Sequence, residues 1–169
     1  MSSGFTATGL NYPLLAIPAY YIFSVTPHIY AVQMLKSAGY KIDNANPRAS
    51  LAPANVKGKV PDAVFSAYQR TESAQTNNLE QLPLFAAAVL ASILAERVSP
   101  SIRIGGAAGD LDPTGLATFV GAWFAVRAAY NVAYVRIAEH TKSFVRSGLW
   151  AVGTGLAIYQ FYKAARVLG

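Results

Sequence analysis

A polar stripe on one predicted helix is the first candidate for chemistry in this sequence. The stretch from Tyr68 to Gln81 is densely polar and runs directly into an apolar segment, Leu82–Leu94. At about 100° per residue, one helix face collects five polar side chains: Arg70, Ser73, Asn77, Glu80 and Gln81. A charged side chain costs roughly 3 kcal/mol or more at the middle of a bilayer. The stripe is therefore expected to face protein, ligand or water.

A second polar set lies in a later apolar segment. Arg127 is in the middle of Thr114–Ile137, and Tyr130, Asn131 and Tyr134 follow at helical spacing on the same face. Glu80 is the only acid deep enough in an apolar segment to be the partner of Arg127. We expect either an Arg127–Glu80 ion pair that holds two helices together or a direct ligand role for both residues.

Arg146 and Ser147 open the last apolar segment and complete the candidate set. Guanidinium groups bind carboxylates in bidentate fashion, a glutamate can bind an α-ammonium group, and asparagine and tyrosine supply neutral hydrogen bonds. A zwitterionic peptide with two carboxylates suits such a set. An arginine or a serine hydroxyl beside a ligand thiol would stabilise the thiolate, which is the nucleophilic form.

The composition indicates a membrane protein. Of the 169 residues, 53% are hydrophobic and 13% charged, with a mean hydropathy of +0.30, whereas about a quarter of an ordinary soluble domain is charged. A soluble helical bundle is the less favoured alternative. The net charge of +6 is scattered between apolar segments, so no nucleic-acid partner is expected. Cysteine is absent, which excludes thiolate metal sites, and no metal is expected.

Four apolar segments are each long enough to cross a bilayer as a helix, and the polar sets lie on three of them. They are Leu10–Leu35, Asp62–Ala95, Thr114–Ile137 and Phe144–Leu168. No lysine or arginine precedes the first, so a cleavable signal peptide is not expected. We predict an all-α, four-span bundle in which residues 1–169 form a single domain. Such a bundle is too thin to enclose the polar stripe, so we expect oligomerisation to cover the stripe with neighbouring protomers.

The loops predict an orientation for the bundle. Lys36–Pro61 carries five basic residues and one acid, so it is expected to face the cytosol. Lipid headgroups are the expected neighbours of its charges, and Arg48 is the one residue for which a binding role stays open. Glu96–Pro113 has a net charge of −1, which suits an outward, flexible connection. His28 is expected to be a packed or interfacial histidine rather than a ligand.

Four motifs together resemble the family of membrane-associated proteins in eicosanoid and glutathione metabolism (MAPEG). The segment from Ala74 to Phe85, with its Gln, Asn, Glu and Pro and a preceding Arg70, resembles the second-helix signature of that family. The spacing of Arg127, Tyr130 and Tyr134 is similar to its third-helix signature. The dipeptides Asn46-Pro47 and Arg146-Ser147 resemble its first-loop motif and the head of its fourth helix.

The resemblance implies a homotrimer of four-helix protomers in an intracellular membrane such as the endoplasmic reticulum. Glutathione would bind between neighbouring subunits, and lipid-like electrophiles would enter from the bilayer. The residues implied to hold glutathione are Arg70, Asn77, Glu80, Tyr130, Tyr134 and Arg146, with Arg127 paired to Glu80. Arg146 and Ser147 would be catalytic, because they would stabilise the thiolate. The implied activity is a microsomal-type glutathione transferase or peroxidase.

One position departs from the family pattern. Many catalytic members have an arginine directly before the position of Ala74, where this chain has Ser73. The change removes one charge-assisted contact, worth about 1.5–3 kcal/mol. Since the family also includes a non-catalytic lipid-binding activator, a scaffold of the same fold is the alternative function. A small channel is a weaker one, because few polar residues line the first and fourth spans.

Overall fold

The computed structural model describes residues 10–98, 112 and 114–169, and within them the chain is helical with no β-strand. The described residues contain four long helices: α1 (Tyr12–Ser37), α4 (Asp62–Val98), α5 (Leu116–Arg136) and α6 (Phe144–Leu168). Two one-turn helices, α2 (Pro47–Ser50) and α3 (Pro53–Val56), lie between α1 and α4, and a 3₁₀ turn, Thr141–Ser143, precedes α6. The all-helical prediction is confirmed.

Two of the long helices, α1 and α4, are long and apolar enough to cross a membrane. The observed helix ends lie close to the predicted ones, and α4 is a single 37-residue helix, as expected from its polar first half and apolar second half. α4 has an interior proline, Pro83, and α1 has two, Pro18 and Pro27; Pro27 is buried, whereas Pro18 and Pro83 are exposed. Most of the predicted outward loop, Glu96–Pro113, and the N-terminal stretch 1–9 lie outside the described residues.

Capping groups fix where the helices begin. The Asn11 side chain accepts a hydrogen bond from the Leu14 amide at 3.0 Å, which satisfies one of the free donors at the start of α1. The Asp112 carboxylate accepts the amides of Ala117 and Thr118 at the start of α5. Gly115 precedes α5 with φ +69°, a left-handed conformation that glycine adopts without steric cost.

An aromatic core joins α1, α4 and α5. Tyr20, Phe85 and Trp123 are fully buried, with ring centroids 5.0 Å apart for Tyr20–Phe85 and 5.1 Å apart for Phe85–Trp123. Ala157 brings α6 against the same cluster. Aromatic rings contribute much of the burial energy of a core and hold defined relative orientations. The core thus fixes the positions of the helices that carry the polar residues.

The predicted cytosolic loop is folded against the helix ends. Val56 and Val60 are buried with Leu35 and Tyr68, in a second apolar cluster. The Tyr40 hydroxyl donates to the Ser50 carbonyl at 2.7 Å, and the Tyr68 hydroxyl donates to the Leu51 carbonyl. This segment was predicted as a connecting loop, and the two short helices inside it were not foreseen.

Candidate functional site

The polar stripe of α4 divides between the protein interior and its surface. Gln81 is buried and Asn77 is half-buried, whereas Ser73 and Glu80 are exposed. The Ser73 hydroxyl donates to the Gln69 carbonyl of its own helix at 2.9 Å. Asn77 is the residue of the stripe that lies beside polar side chains of α5 and α6.

Arg127 is buried, with 1% of its surface exposed, and its partners are neutral. Its Nε donates to the Tyr20 hydroxyl and to Asn78 Oδ1, both at 3.1 Å. Its Nη2 donates to Asn78 Oδ1 at 2.7 Å and to the Asn77 carbonyl at 3.0 Å. Hydrogen bonds from a charged donor are strong in a buried setting, so this network joins α1, α4 and α5.

The expected Arg127–Glu80 ion pair is wrong. Glu80 is exposed and forms no ion pair with the described residues, whereas Asn78 accepts from the guanidinium. On α4, Asn78 shares its buried face with Thr71, Ala74 and Phe85, and this face packs on the neighbouring helices. Two residues further along, Glu80 points about 200° away around the helix axis. Helix geometry therefore gives Arg127 an amide partner.

Two arginines and two tyrosines form a continuous stack at one end of α5 and α6. The Arg127 guanidinium carbon lies 4.5 Å from the Tyr130 ring centre, and that ring lies 4.9 Å from the Tyr134 ring. The Arg146 guanidinium carbon lies 4.5 Å from the Tyr134 ring centre. Cations over aromatic faces at these distances are attracted by the ring quadrupole. The stack orients Arg146 relative to the buried network.

A first cleft of about 230 Å³ lies beside this stack. Three helices line it with Asn77, Tyr130, Tyr134, Arg146, Ser147 and Trp150. The structure thus brings together five of the predicted site residues from separate parts of the chain. Of the other three, Arg127 lies behind the cleft, in contact with Tyr130, and Arg70 and Glu80 do not line it.

Arg146 has unused hydrogen-bonding capacity in the first cleft. One Nη2 bond goes to the Ile137 carbonyl at the end of α5. Its Nε atom is buried and has no hydrogen-bond partner among the described residues. Buried donors are nearly always satisfied, so an unpaired guanidinium nitrogen in a cleft indicates a position where a ligand acceptor can bind.

Trp150 is a lining residue that sequence reasoning missed. It lies four residues after Arg146 on α6, so the two side chains point to the same side of the helix. That spacing was a usable signal. The residue is 41% exposed, so it lines the cleft without being enclosed by the described residues.

A second cleft, of about 580 Å³, lies on the other side of Asn77. It is bounded by α1, the loop helices and α4, and Asn77 lines both clefts. His28, on α1, contacts both carboxylate oxygens of Glu72 through Nδ1, at 2.9 and 3.1 Å. His28 was expected to be packed or interfacial, and the structure places it half-buried in contact with the Glu72 carboxylate.

Comparison with known families now assigns the chain. The sequence model of the MAPEG family matches residues 12–166, which is nearly the whole chain. The protein belongs to the MAPEG family. Members of this membrane-bound family include glutathione transferases, peroxidases and eicosanoid synthases. No curated protein and no solved structure matches this MAPEG chain.

Proposed function

We propose that this MAPEG protein is a membrane glutathione transferase or peroxidase that acts on hydrophobic or lipid-derived electrophiles. The observation that carries the proposal is the meeting of Arg146, Ser147, Asn77 and the two tyrosines in one cleft. A guanidinium with an unpaired buried nitrogen is suited to an anionic ligand group. Family membership makes glutathione the first ligand to test.

Each residue of the first cleft is proposed to have a role towards glutathione that follows from its side-chain chemistry. Bound glutathione would supply a thiolate sulfur. In conjugation the sulfur would bond to an electrophilic carbon and either displace a leaving group or open an activated double bond that then takes up a proton. In peroxide reduction it would attack the O–O bond, which breaks to release an alcohol, and a second glutathione would convert the resulting sulfenate to the disulfide and water. Arg146 would hold that sulfur as the thiolate through its positive charge, and the Ser147 hydroxyl would donate a hydrogen bond to it. Asn77, Tyr130 and Tyr134 would orient the peptide through neutral hydrogen bonds. Arg127 would act from behind, by fixing Tyr130 and the Asn77 carbonyl.

The second substrate is proposed to reach the cleft from the lipid phase. Trp150 stands at the cleft edge on a helix with exposed apolar side chains, among them Val145 and Val152. Apolar side chains exposed on a membrane-type helix suit contact with lipid or with another subunit. We propose a homotrimer in an intracellular membrane such as the endoplasmic reticulum, with neighbouring subunits covering the exposed Glu80 side of α4.

Conjugation of glutathione to a chromogenic electrophile by the purified protein in lipid vesicles tests the activity. Removing one such stabilising group typically costs about 10²–10³ in turnover, and we expect a loss of that size for Arg146→Ala. Arg136→Ala is the matched control, because Arg136 is exposed at the same end and lines neither cleft. Equal turnover in all three proteins would remove Arg146 from the mechanism.

A scaffold without catalysis is the second candidate. Ser73 favours it, because its hydroxyl bonds to its own helix and contributes no positive charge. Saturable binding of a fatty acid, with no glutathione conjugation or peroxide reduction by the wild type, would support the scaffold.

A further inference from the structure

Two tyrosines and two basic residues form a surface stripe on the last turns of α6. Tyr159, Tyr162, Lys163 and Arg166 follow at helical spacing, so they share one face of the helix. The tyrosines are 59% and 56% exposed, Arg166 is exposed and Lys163 is half-buried. None of the four lines either cleft. We call this set the α6 tyrosine–cation stripe.

Contacts within the α6 tyrosine–cation stripe give its side chains a defined arrangement. The two tyrosine rings are stacked, with centroids 6.3 Å apart. Lys163 Nζ lies 5.9 Å from the Tyr159 ring centre, and the Arg166 guanidinium carbon lies 6.0 Å from the Tyr162 ring centre. Residues three apart on a helix have Cβ atoms about 5–6 Å apart, so one phosphate group can contact both cations.

The start of α5 also helps to position Lys163. A side chain on Gly115 would have to displace the Lys163 ammonium, so the glycine leaves the space in which this ammonium lies. Gln160, on the same part of α6, donates to the Thr114 carbonyl at 3.1 Å and joins the two helices there. The ammonium is therefore held where α5 begins and α6 ends.

The positive charge of the stripe has no acid partner in the part of the chain that the structure describes. Neither Lys163 nor Arg166 forms an ion pair there. Glu96 accepts a hydrogen bond from the Thr114 hydroxyl at 2.6 Å, and Asp112 accepts amides at the start of α5. A surface with this excess of positive charge is complementary to an anionic partner.

The position of the stripe along α6 matches the headgroup level of a bilayer. No charged residue lies between Arg146 and Lys163, and Arg166 follows Arg146 by 20 positions. That length of helix spans about 30 Å, the thickness of the hydrocarbon core. Exposed tyrosines are enriched at the membrane–water interface. The first loop is predicted to face the cytosol, so the stripe lies on the opposite side, where the positive-inside rule does not account for basic residues.

We propose that the α6 tyrosine–cation stripe binds the phosphate of an anionic phospholipid. The planar guanidinium of Arg166 suits two phosphate oxygens, and Lys163 supplies a second positive charge. The acyl chains would lie along exposed apolar side chains of the same face, such as Val152, two turns before Tyr159. The inference rests on the predicted membrane span of α6 and is independent of the glutathione chemistry.

Native mass spectrometry of the full chain, titrated in detergent with phosphatidylglycerol, counts the lipids retained per chain and measures their affinity. We expect Lys163→Gln with Arg166→Gln to weaken the tightest binding event by about tenfold or more, because both charge contacts are lost. Arg166→Lys keeps the charge without the planar fork, so its affinity should lie between the two.

Lys57→Gln with Lys59→Gln is the matched control, because it removes the same charge from exposed positions of the first loop. It should retain the lipid like the wild type, and the wild type should retain phosphatidylcholine less tightly than phosphatidylglycerol. Arg166→Gln alone, at an exposed position, gives the same comparison if the double variant of the stripe does not fold.

Three results would overturn the inference. The first is wild-type affinity in the stripe variants, and the second is an equal loss in the loop control, which would indicate a general effect of charge. The third is release of the lipid by inorganic phosphate, which would mean that the stripe binds a free anion rather than a lipid headgroup. Equal retention of phosphatidylcholine by the wild type would also contradict an anionic partner.

Discussion

The Arg146 guanidinium carbon lies 4.5 Å from the centre of the Tyr134 ring, so a residue of α5 orients the principal cation of α6. Such a contact is worth about 0.5–2 kcal/mol. Tyr134→Leu should therefore lower kcat/KM for glutathione conjugation between about twofold and thirtyfold. Tyr134→Phe keeps the ring and loses only the hydroxyl hydrogen bond, so it should lose less activity than Tyr134→Leu. Steady-state kinetics in vesicles checks both, and an equal loss in the two variants would mean that the hydroxyl matters rather than the ring.

Asn78 is predicted to be essential for the stability of the bundle. Asn78→Leu removes the acceptor of two guanidinium nitrogens of Arg127 and leaves a buried charge with fewer partners. Breaking a buried charged contact costs roughly 3–5 kcal/mol, so the thermal melt in detergent should shift to clearly lower temperature.

Glu80→Gln is the matched control for Asn78→Leu on the same helix. Because Glu80 forms no ion pair with the described residues, Glu80→Gln should shift the melt much less than Asn78→Leu does. A large destabilisation by Glu80→Gln with a neutral Asn78→Leu would restore the acid as the partner of Arg127.

Asn78 and Glu80 illustrate which features of the site could be predicted from the sequence and which could not. Apolar run lengths and breakers predicted the long helices, and helical spacing placed Tyr130 and Tyr134 on one face. The grouping of these tyrosines with Asn77, Arg146 and Ser147 was predicted from their position near one membrane boundary and from the family resemblance. The partner of Arg127 was chosen by charge alone, and the buried face of α4 selected the amide instead. Heptad-like spacing of Asn78 with Phe85 was a visible signal for that choice.

Other features depended on packing between distant segments, which no local pattern encodes. The first loop is held against the helices by hydrogen bonds from the Tyr40 and Tyr68 hydroxyls to the carbonyls of Ser50 and Leu51, and the sequence of that loop indicates only turns. The contact of His28 with Glu72 joins residues 44 positions apart. Trp150 differs from these features, because its spacing of four residues from Arg146 on α6 is a local pattern that predicts a shared helix face.

Gln160 is predicted to stabilise the end of the bundle opposite the clefts. It is buried, and its Nε2 donates to Ser92 Oγ at 2.8 Å and to the Thr114 carbonyl at 3.1 Å. Gln160→Leu leaves two buried acceptors without their donor, at a cost of about 1–3 kcal/mol each. The thermal melt should fall while the glutathione affinity of the folded protein stays unchanged. A drop in affinity without a drop in the melt would assign Gln160 to the ligand site instead.

The central claim is that Arg146 and Ser147 hold glutathione as its thiolate, and ultraviolet difference absorbance measures that species directly. The wild-type protein in detergent, titrated with glutathione at neutral pH, should develop a saturable thiolate band. In Arg146→Ala the band should be lost even at glutathione concentrations that fill the site by calorimetry, because the sulfur would stay protonated without its cation. A band of equal size in Arg146→Ala, or no band in a wild type that binds glutathione, would contradict the account.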